Sequence, residues 1–467
     1  MTEHTLQLQT NDLERAERHE RLLALDRAHV WHPFTQMAGW LDSPEGDEPL
    51  IIDHAKGSWL WDTRGRKYLD GCSSLWVNLH GHRRPEIDSA IRLQMSSAAH
   101  TTLLGAGSPP SIELAAELCR RAPKGLTRVF YSDSGSTSVE VALKIAFQHW
   151  QLRGKPKKRK FVSLGEAYHG DTVGAVSVGG MDLFHEIFHP LLFDALRIPT
   201  PYVYRWPTGP KHCLDAAASA AEALLAARHD ELAALIIEPL VQGAAGMILH
   251  PKGYLRRIAD ACKRYDVLLI CDEVATGFGR TGTLFACEQE DVKPDLMCLA
   301  KGLSGGYLPL AATLTTEAIF HSFLGPFESK KTFFHGHSYT GNALACAAAL
   351  ASLRIFDEDN VLAHVGAMSA RLAEGLARTA ALPHVGDVRQ RGLMVGIELV
   401  KDRGSKDEYD YAARMGHKVC LAARKREVML RPLGNVVVLM PPLSIASQEL
   451  DHLLEATHES IAEVTGS

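Results

Sequence analysis

No two of the nine cysteines stand in C-x-x-C spacing, and their number is odd. Cysteines scattered inside apolar runs, such as Cys271 in LLICDEV and Cys298 in LMCLAKG, fit reduced thiols rather than a disulfide framework. No apolar run is long enough to span a bilayer. Residues 1–21 are polar, rich in Glu and Arg, and lack the apolar stretch of a signal peptide. A cytoplasmic protein is expected. Basic charge is scarce: 50 Lys and Arg stand against 55 Asp and Glu, a formal net charge of -5. A nucleic-acid partner calls for a basic domain or stripe, so none is expected. The one basic run, RGKPKKRK at 153–160, sits beside Gly and Pro and reads as a solvated loop. Internal repeats and low-complexity tracts are also missing.

What is present is an ordinary globular composition, 46% hydrophobic and 22% charged. A chain of 467 residues exceeds one compact core, so two packed regions are expected. Short apolar runs alternate with helical patterns through the middle. ALIIEP (234–239) and VLLICD (267–272) read as buried parallel strands, with LMCLA (296–300) a weaker third. Helix patterns cover 254–264 and 341–356. Strand, helix, strand, helix predicts a doubly wound α/β sheet with ligands beyond the carboxyl ends of its strands. Glu238, Asp272 and Lys301 stand at or just after those ends. Residues 1–76 and 355–467 differ from the centre and are expected to build a smaller α+β domain around a large domain at 77–354.

Asp272 emerges from an apolar strand, and a buried carboxylate is costly unless a cationic partner meets it. Lys301 lies in LAKGLSGG, an apolar approach followed by a glycine-rich bend. Poor hydration there lowers a lysine's pKa and makes it an amine nucleophile toward an aldehyde. For an isolated Asp and Lys, a structural ion pair is the plainer reading. Three stretches change the balance. YSDSGSTSVE (131–140) leads small hydroxyl residues and Gly135 into a helix, with Thr137 and Glu140 at capping-box spacing, which makes an anion site or a well-capped helix. EAYHGD (166–171) puts Tyr168 after a strand-like run, where a ring can lie on a planar cofactor. FHGHSYTGN (334–342) opens another helix. With His80-Gly81-His82 it gives two His-x-His pairs, but neither has zinc-motif spacing or a nearby completing ligand, so no metal is expected. Arg280, on a glycine-rich loop, and Arg431, before a C-terminal strand, could each clamp a carboxylate.

Together these stretches resemble the class III (ω-type) aminotransferases of pyridoxal-phosphate (PLP) fold type I. IIEPL, LLICDEVATGFGRTG and KPDLMCLAKGL are similar to that family's signature. HVWHPFTQ (29–36), DGCSSLW (70–76), YHGDT, HGHSYTGN, Arg431-Pro432 and MPP (440–442) resemble its biotin-biosynthesis branch. The likeness runs from about His29 to the end. It implies PLP as cofactor, with Lys301 as the Schiff-base lysine and Asp272 as partner of the pyridine nitrogen. Gly135 and Ser136 would hold the phosphate, and Tyr168 would stack on the ring and touch substrate. Gly336, His337 and Ser338 match a segment that the other subunit of a homodimer lends to phosphate and substrate. Arg431 would take the carboxylate of a keto substrate and Arg280 would serve the amino donor. Trp76, Trp31 and Phe34 would line an apolar tunnel. Many members carry Tyr where Phe34 stands, a second Trp where Leu75 stands, and Pro-Thr for His337-Ser338. Those positions belong to the substrate pocket and bear on the donor, S-adenosylmethionine or, in a subset of the family, lysine. Rival readings are an ornithine- or 4-aminobutyrate-type aminotransferase, a PLP aminomutase, or a non-catalytic assembly protein on the same fold.

Overall fold

Strands that read as unbroken apolar runs need helices on both faces to bury them. In the computed structural model, which describes residues 12–43 and 47–467, this is what happens. The reading of residues 1–11 lies outside the described part. Leu232–Ile237, Leu268–Asp272 and Leu296–Leu299 are buried along their whole length. They lie in a seven-stranded sheet. Its order is Leu126–Ser132, Ala311–Thr316, Leu296–Leu299, Leu268–Asp272, Leu232–Ile237, Lys160–Leu164 and Leu196–Ile198. All neighbouring pairs are parallel except those made by Ala311–Thr316, which runs against both its partners. The expected mixed, mostly parallel α/β sheet is thus present.

Six strands point the same way, so their carboxyl ends open on one edge, where a parallel sheet gathers its ligands. Asp272 ends one strand, Glu238 follows another directly, and Lys301 is the second residue after a third. Tyr168 follows the Lys160–Leu164 strand, and the turn after Leu126–Ser132 leads straight into the Gly135–Leu152 helix. Five remote stretches of sequence meet there.

Strands from both halves of the chain share a second sheet. Ile52–Lys56, Trp59–Asp62 and Lys67–Asp70 form an antiparallel meander, and Val428–Met429 adds in parallel, pairing Leu69 with Val428 and Asp70 with Met429. A third sheet takes Val385–Arg391, Met394–Asp402, Val436–Leu439 and Arg431–Leu433. The Ala343–Glu358 helix buries ten side chains and starts at Asn342, whose Oδ1 accepts from the Ala345 N–H at 3.0 Å. Among the described residues no helix is long and apolar enough to cross a membrane.

Two local expectations need correction. The cap of the Gly135–Leu152 helix is Ser134, with Thr137 as its reciprocal partner. Glu140 instead turns outward from that helix and accepts from the N–H groups of Gly174 (2.8 Å) and Ala175 (3.3 Å). Its carboxylate is recruited by a second helix start, where free N–H groups favour an anion. The basic run at 153–160 is solvated only in part. Lys158 is buried, with Nζ donating to the carbonyls of His229 (2.9 Å), Leu232 (3.3 Å) and Asp266 (2.5 Å), 4.5 Å from the Trp150 ring centre. It ties together three carbonyls from separate segments of the chain.

Candidate active site

At the shared edge Asp272 is 4% exposed. Its Oδ1 accepts from the Val274 N–H at 3.1 Å, and its Oδ2 lies 2.7 Å from Nδ1 of His169, a ring with no exposed surface. Donors on both oxygens hold the carboxylate in one orientation. Lys301, two residues past the neighbouring strand, has its backbone in the left-handed region at φ 44°. For a residue with a side chain this is a strained state, costing of order 1–3 kcal/mol. Burial lowers the Lys301 pKa to about 8, against the opposing pull of Asp272 and Glu238. An ordinary lysine stays charged to about pH 10. This one keeps a neutral fraction far larger than an ordinary lysine's near neutrality and is about half neutral near pH 8, as suits a nucleophile or base. Its Nζ stands 4.7 Å from the centre of the Trp76 ring.

Glu238 completes the buried group. Its oxygens accept from the N–H groups of Tyr168 (3.1 Å) and Gly243 (2.9 Å), and burial raises its pKa to about 7. That pair of bonds fixes where Tyr168 leaves the sheet. Tyr168 Oη donates to Asp171 at 2.8 Å, and the Asp171 N–H donates to Ser136 Oγ at 3.1 Å. Burial pushes the phenol pKa well up, so it stays a donor. Gly170 sits at φ 119°, and a Cβ there would fall 2.0 Å from Ser136 Oγ. A Cβ on Gly135 would fall 2.7 Å from Val274. The helix start and the Tyr168 loop therefore close on each other only as glycines. At that start the N–H groups of Gly135 and Ser136 lie in the first turn, where a helix offers them no acceptor.

Tyr168, Asp272, Lys301, Trp76, Gly135 and Ser136 are therefore brought together. Phe34 joins through a residue the sequence did not flag. Its ring lies 5.3 Å from Phe184, which in turn lies 6.4 Å from Tyr168. His169 was also missed as a site residue, because a lone Tyr-His pair carries no signal until the Asp272 partner is known. Leu75, beside Trp76, is 46% exposed. Gly336, His337 and Ser338 make no hydrogen bond or ring contact with Tyr168, Asp272 or Lys301. They lie on an outward stretch between Phe334 and Tyr339, 78% and 65% exposed.

The two arginines separate sharply. Arg280 is completely buried, its Nη1 and Nη2 donating to the carbonyls of Pro441 and Asn78, each at 2.7 Å. The Arg431 backbone pairs with Val438, while its half-buried guanidinium makes no hydrogen bond or salt bridge with the described residues. No three or more His, Cys, Asp or Glu side chains among the described residues are grouped to hold a metal. His82 faces Asp70, His80 faces Ser352, and His335 faces Lys144.

Polar atoms buried around these groups lack protein partners: His169 Nε2, Trp76 Nε1, both Asn78 amide atoms and Arg280 Nε. Buried polar atoms are normally satisfied, so this concentration fits a space shaped for a polar ligand. An amine nucleophile, a fixed carboxylate and a helix start with open N–H groups answer an aldehyde, a ring nitrogen and a phosphate. The residues fit a phosphorylated pyridine aldehyde.

The chain belongs to the aminotransferase class-III family, whose sequence model matches residues 42–461. It is an enzyme family, and the reading as a non-catalytic assembly protein falls with it. Closer similarity is to proteins named adenosylmethionine-8-amino-7-oxononanoate aminotransferase. The chain is 56% identical to that of Nitratidesulfovibrio vulgaris, over 96% of this chain and 83% of the relative. Against that of Geobacter sulfurreducens it is 50% identical, over 94% and 97%. Among solved structures, the enzyme of that name from Methanocaldococcus jannaschii matches with a TM-score of 0.91 at 46% identity, covering 95% of this chain and 99% of that one. An amine transaminase from an uncultivated Pseudomonas species, solved in its PLP-bound form, gives 0.88 at 35% identity, covering 93% and 98%.

Proposed function

We propose that this enzyme is a PLP-dependent transaminase of biotin biosynthesis. It would move an amino group from S-adenosylmethionine or lysine to 8-amino-7-oxononanoate, giving 7,8-diaminononanoate. The observation that carries the reading is the buried Lys301 amine beside a carboxylate, Asp272, whose two oxygens are already oriented.

When bound, the cofactor supplies an aldehyde that accepts amino groups and a ring that withdraws electrons. Lys301 would anchor it, Asp272 would hold its ring nitrogen, and Gly135 and Ser136 would hold its phosphate from the helix start. His169 keeps the Asp272 carboxylate facing that nitrogen. Lys301, its Nζ about half neutral near pH 8, would be the base that removes the α-proton of the donor. Tyr168 covers the site, its hydroxyl proton directed to Asp171. Arg431, the arginine with no partner, would take the substrate carboxylate. With both its Nη groups on carbonyls, Arg280 would serve the donor only through the loop it fixes.

A homodimer with shared sites is part of the proposal. Phe34, Leu75, Phe334 and Tyr339 are all exposed, apolar side chains of the kind a partner surface covers. A second copy laid there would bring its Gly336, His337 and Ser338 toward phosphate and substrate. A cytoplasmic home accords with nine free thiols, eight of them buried.

The test is incubation of PLP-loaded enzyme with 8-amino-7-oxononanoate and each donor in turn. Formation of 7,8-diaminononanoate is expected. Turnover of ornithine or 4-aminobutyrate with no activity on 8-amino-7-oxononanoate would overturn the reading. Product formed without any donor would point to an aminomutase.

A further inference from the structure

Between Lys301 and Arg431 runs a short turn, residues 73–76, in a conformation that its own sequence does not favour. Ser73, Ser74 and Trp76 all have positive φ, at 51°, 61° and 65°. Ser74 combines it with ψ -85°, outside even the left-handed helical basin. None of the three is glycine, so the surroundings must impose this shape.

The imposing group is Asp70. Its side chain is completely buried, and both its oxygens accept the Ser74 N–H at 2.9 Å. Oδ2 also meets His82 Nε2 at 2.9 Å. His82 is itself pinned, because its N–H and carbonyl both bond to Gly57 of the N-terminal meander. The turn is therefore clamped from behind by a carboxylate that a histidine orients. Neither residue reaches the reacting groups.

The turn lies between the segments that carry the two groups proposed to hold the substrate. At one end the Trp76 ring stands 4.7 Å from Lys301 Nζ. Two residues before the other end, Gly71 packs on Met429 and Leu430, immediately before Arg431; a Cβ on it would fall 2.7 Å from Leu430. Ser73 Oγ adds a bond to the Met440 carbonyl at 2.7 Å. We infer that Asp70 and His82 are positioning residues that select the chain length of the keto substrate, by fixing the turn between the amine of Lys301 and the guanidinium of Arg431. The inference rests on the proposed function, since a ruler needs a substrate with a reacting carbon at one end and a carboxylate at the other.

The decisive variant is His82→Ala, measured on 8-amino-7-oxononanoate and on analogues shorter by one and two methylenes. In the parent enzyme each missing methylene should cost roughly 10-fold or more in kcat/KM. In His82→Ala, KM for the full-length substrate should rise roughly 10- to 100-fold, the scale of a displacement near 1 Å. The length preference should shrink to about 2-fold. Visible absorption of the loaded enzyme and its thermal midpoint should hold. His82→Gln, which restores a neutral donor to Asp70, should recover the preference. An unchanged length preference in His82→Ala, or equal losses in the Ala and Gln variants, overturns the inference. Failure of the parent enzyme to use 8-amino-7-oxononanoate would instead overturn the proposed function.

Discussion

The active site has two walls that differ in construction. One is the carboxyl edge of the large sheet, where Lys301 is half-buried and the carboxylates of Asp272 and Glu238 are buried and already bonded to His169, Val274, Tyr168 and Gly243. The other is made of Phe34, Leu75, Phe334 and Tyr339, all exposed and joined to the rest by single ring contacts or none. The first wall is finished within one chain; in the proposed homodimer a second copy completes the other. Chemistry common to a whole family needs fixed charges, and regular elements hold them. Substrate choice would then be left to loops and to the surface where the two copies meet.

Breaking the first wall should cost most. Lys301→Ala should fold and lose turnover by about 10⁴-fold or more, read by product formation at saturating cofactor. Asp272→Asn should lose about 10²- to 10³-fold, the cost of one mispositioned charge at a reacting centre. The second wall is tested by mixing. A Gly336→Asp variant and Lys301→Ala should each be nearly inactive, yet co-refolded together they should regain activity. Absence of any regain would place the whole site in one chain. The pH response sharpens the contrast further. Since burial lowers the Lys301 pKa to about 8, the neutral amine is about half formed at pH 8 and levels off above it. Capture of pyridoxal phosphate by the apoenzyme should rise and flatten accordingly, whereas an exposed lysine would keep accelerating to about pH 10. The smallest change is expected from Phe34→Tyr with Leu75→Trp. That pair should move donor preference toward S-adenosylmethionine by about 3- to 10-fold, measured as the ratio of kcat/KM for S-adenosylmethionine and lysine.

The same division governs what could be read from residues. Unbroken apolar runs announce their strands, and a charged residue at the end of such a run has few places to go, so Asp272 and Lys301 were legible. The Ser134 cap was not, because SDSGSTS offers several hydroxyls and only the first helical residue decides among them. Arg280 and Arg431 look alike in sequence, each beside Gly or Pro. What separates them is the pair of carbonyls that occupy Arg280, 202 and 161 positions away. His169 meets Asp272 across 103 positions, which no local pattern encodes. Lys158 shows the reverse error: a residue in a basic run is held inward by three carbonyls from remote segments. Local patterns disclose elements and their ends, while partners brought by topology stay hidden.

The central claim is most directly tested by reducing the PLP-loaded enzyme with borohydride and mapping the modified peptide by mass spectrometry. The account predicts a single pyridoxyl group, on Lys301, with loss of the yellow colour. A pyridoxyl group on any other lysine, or a protein that takes up no cofactor, would contradict it.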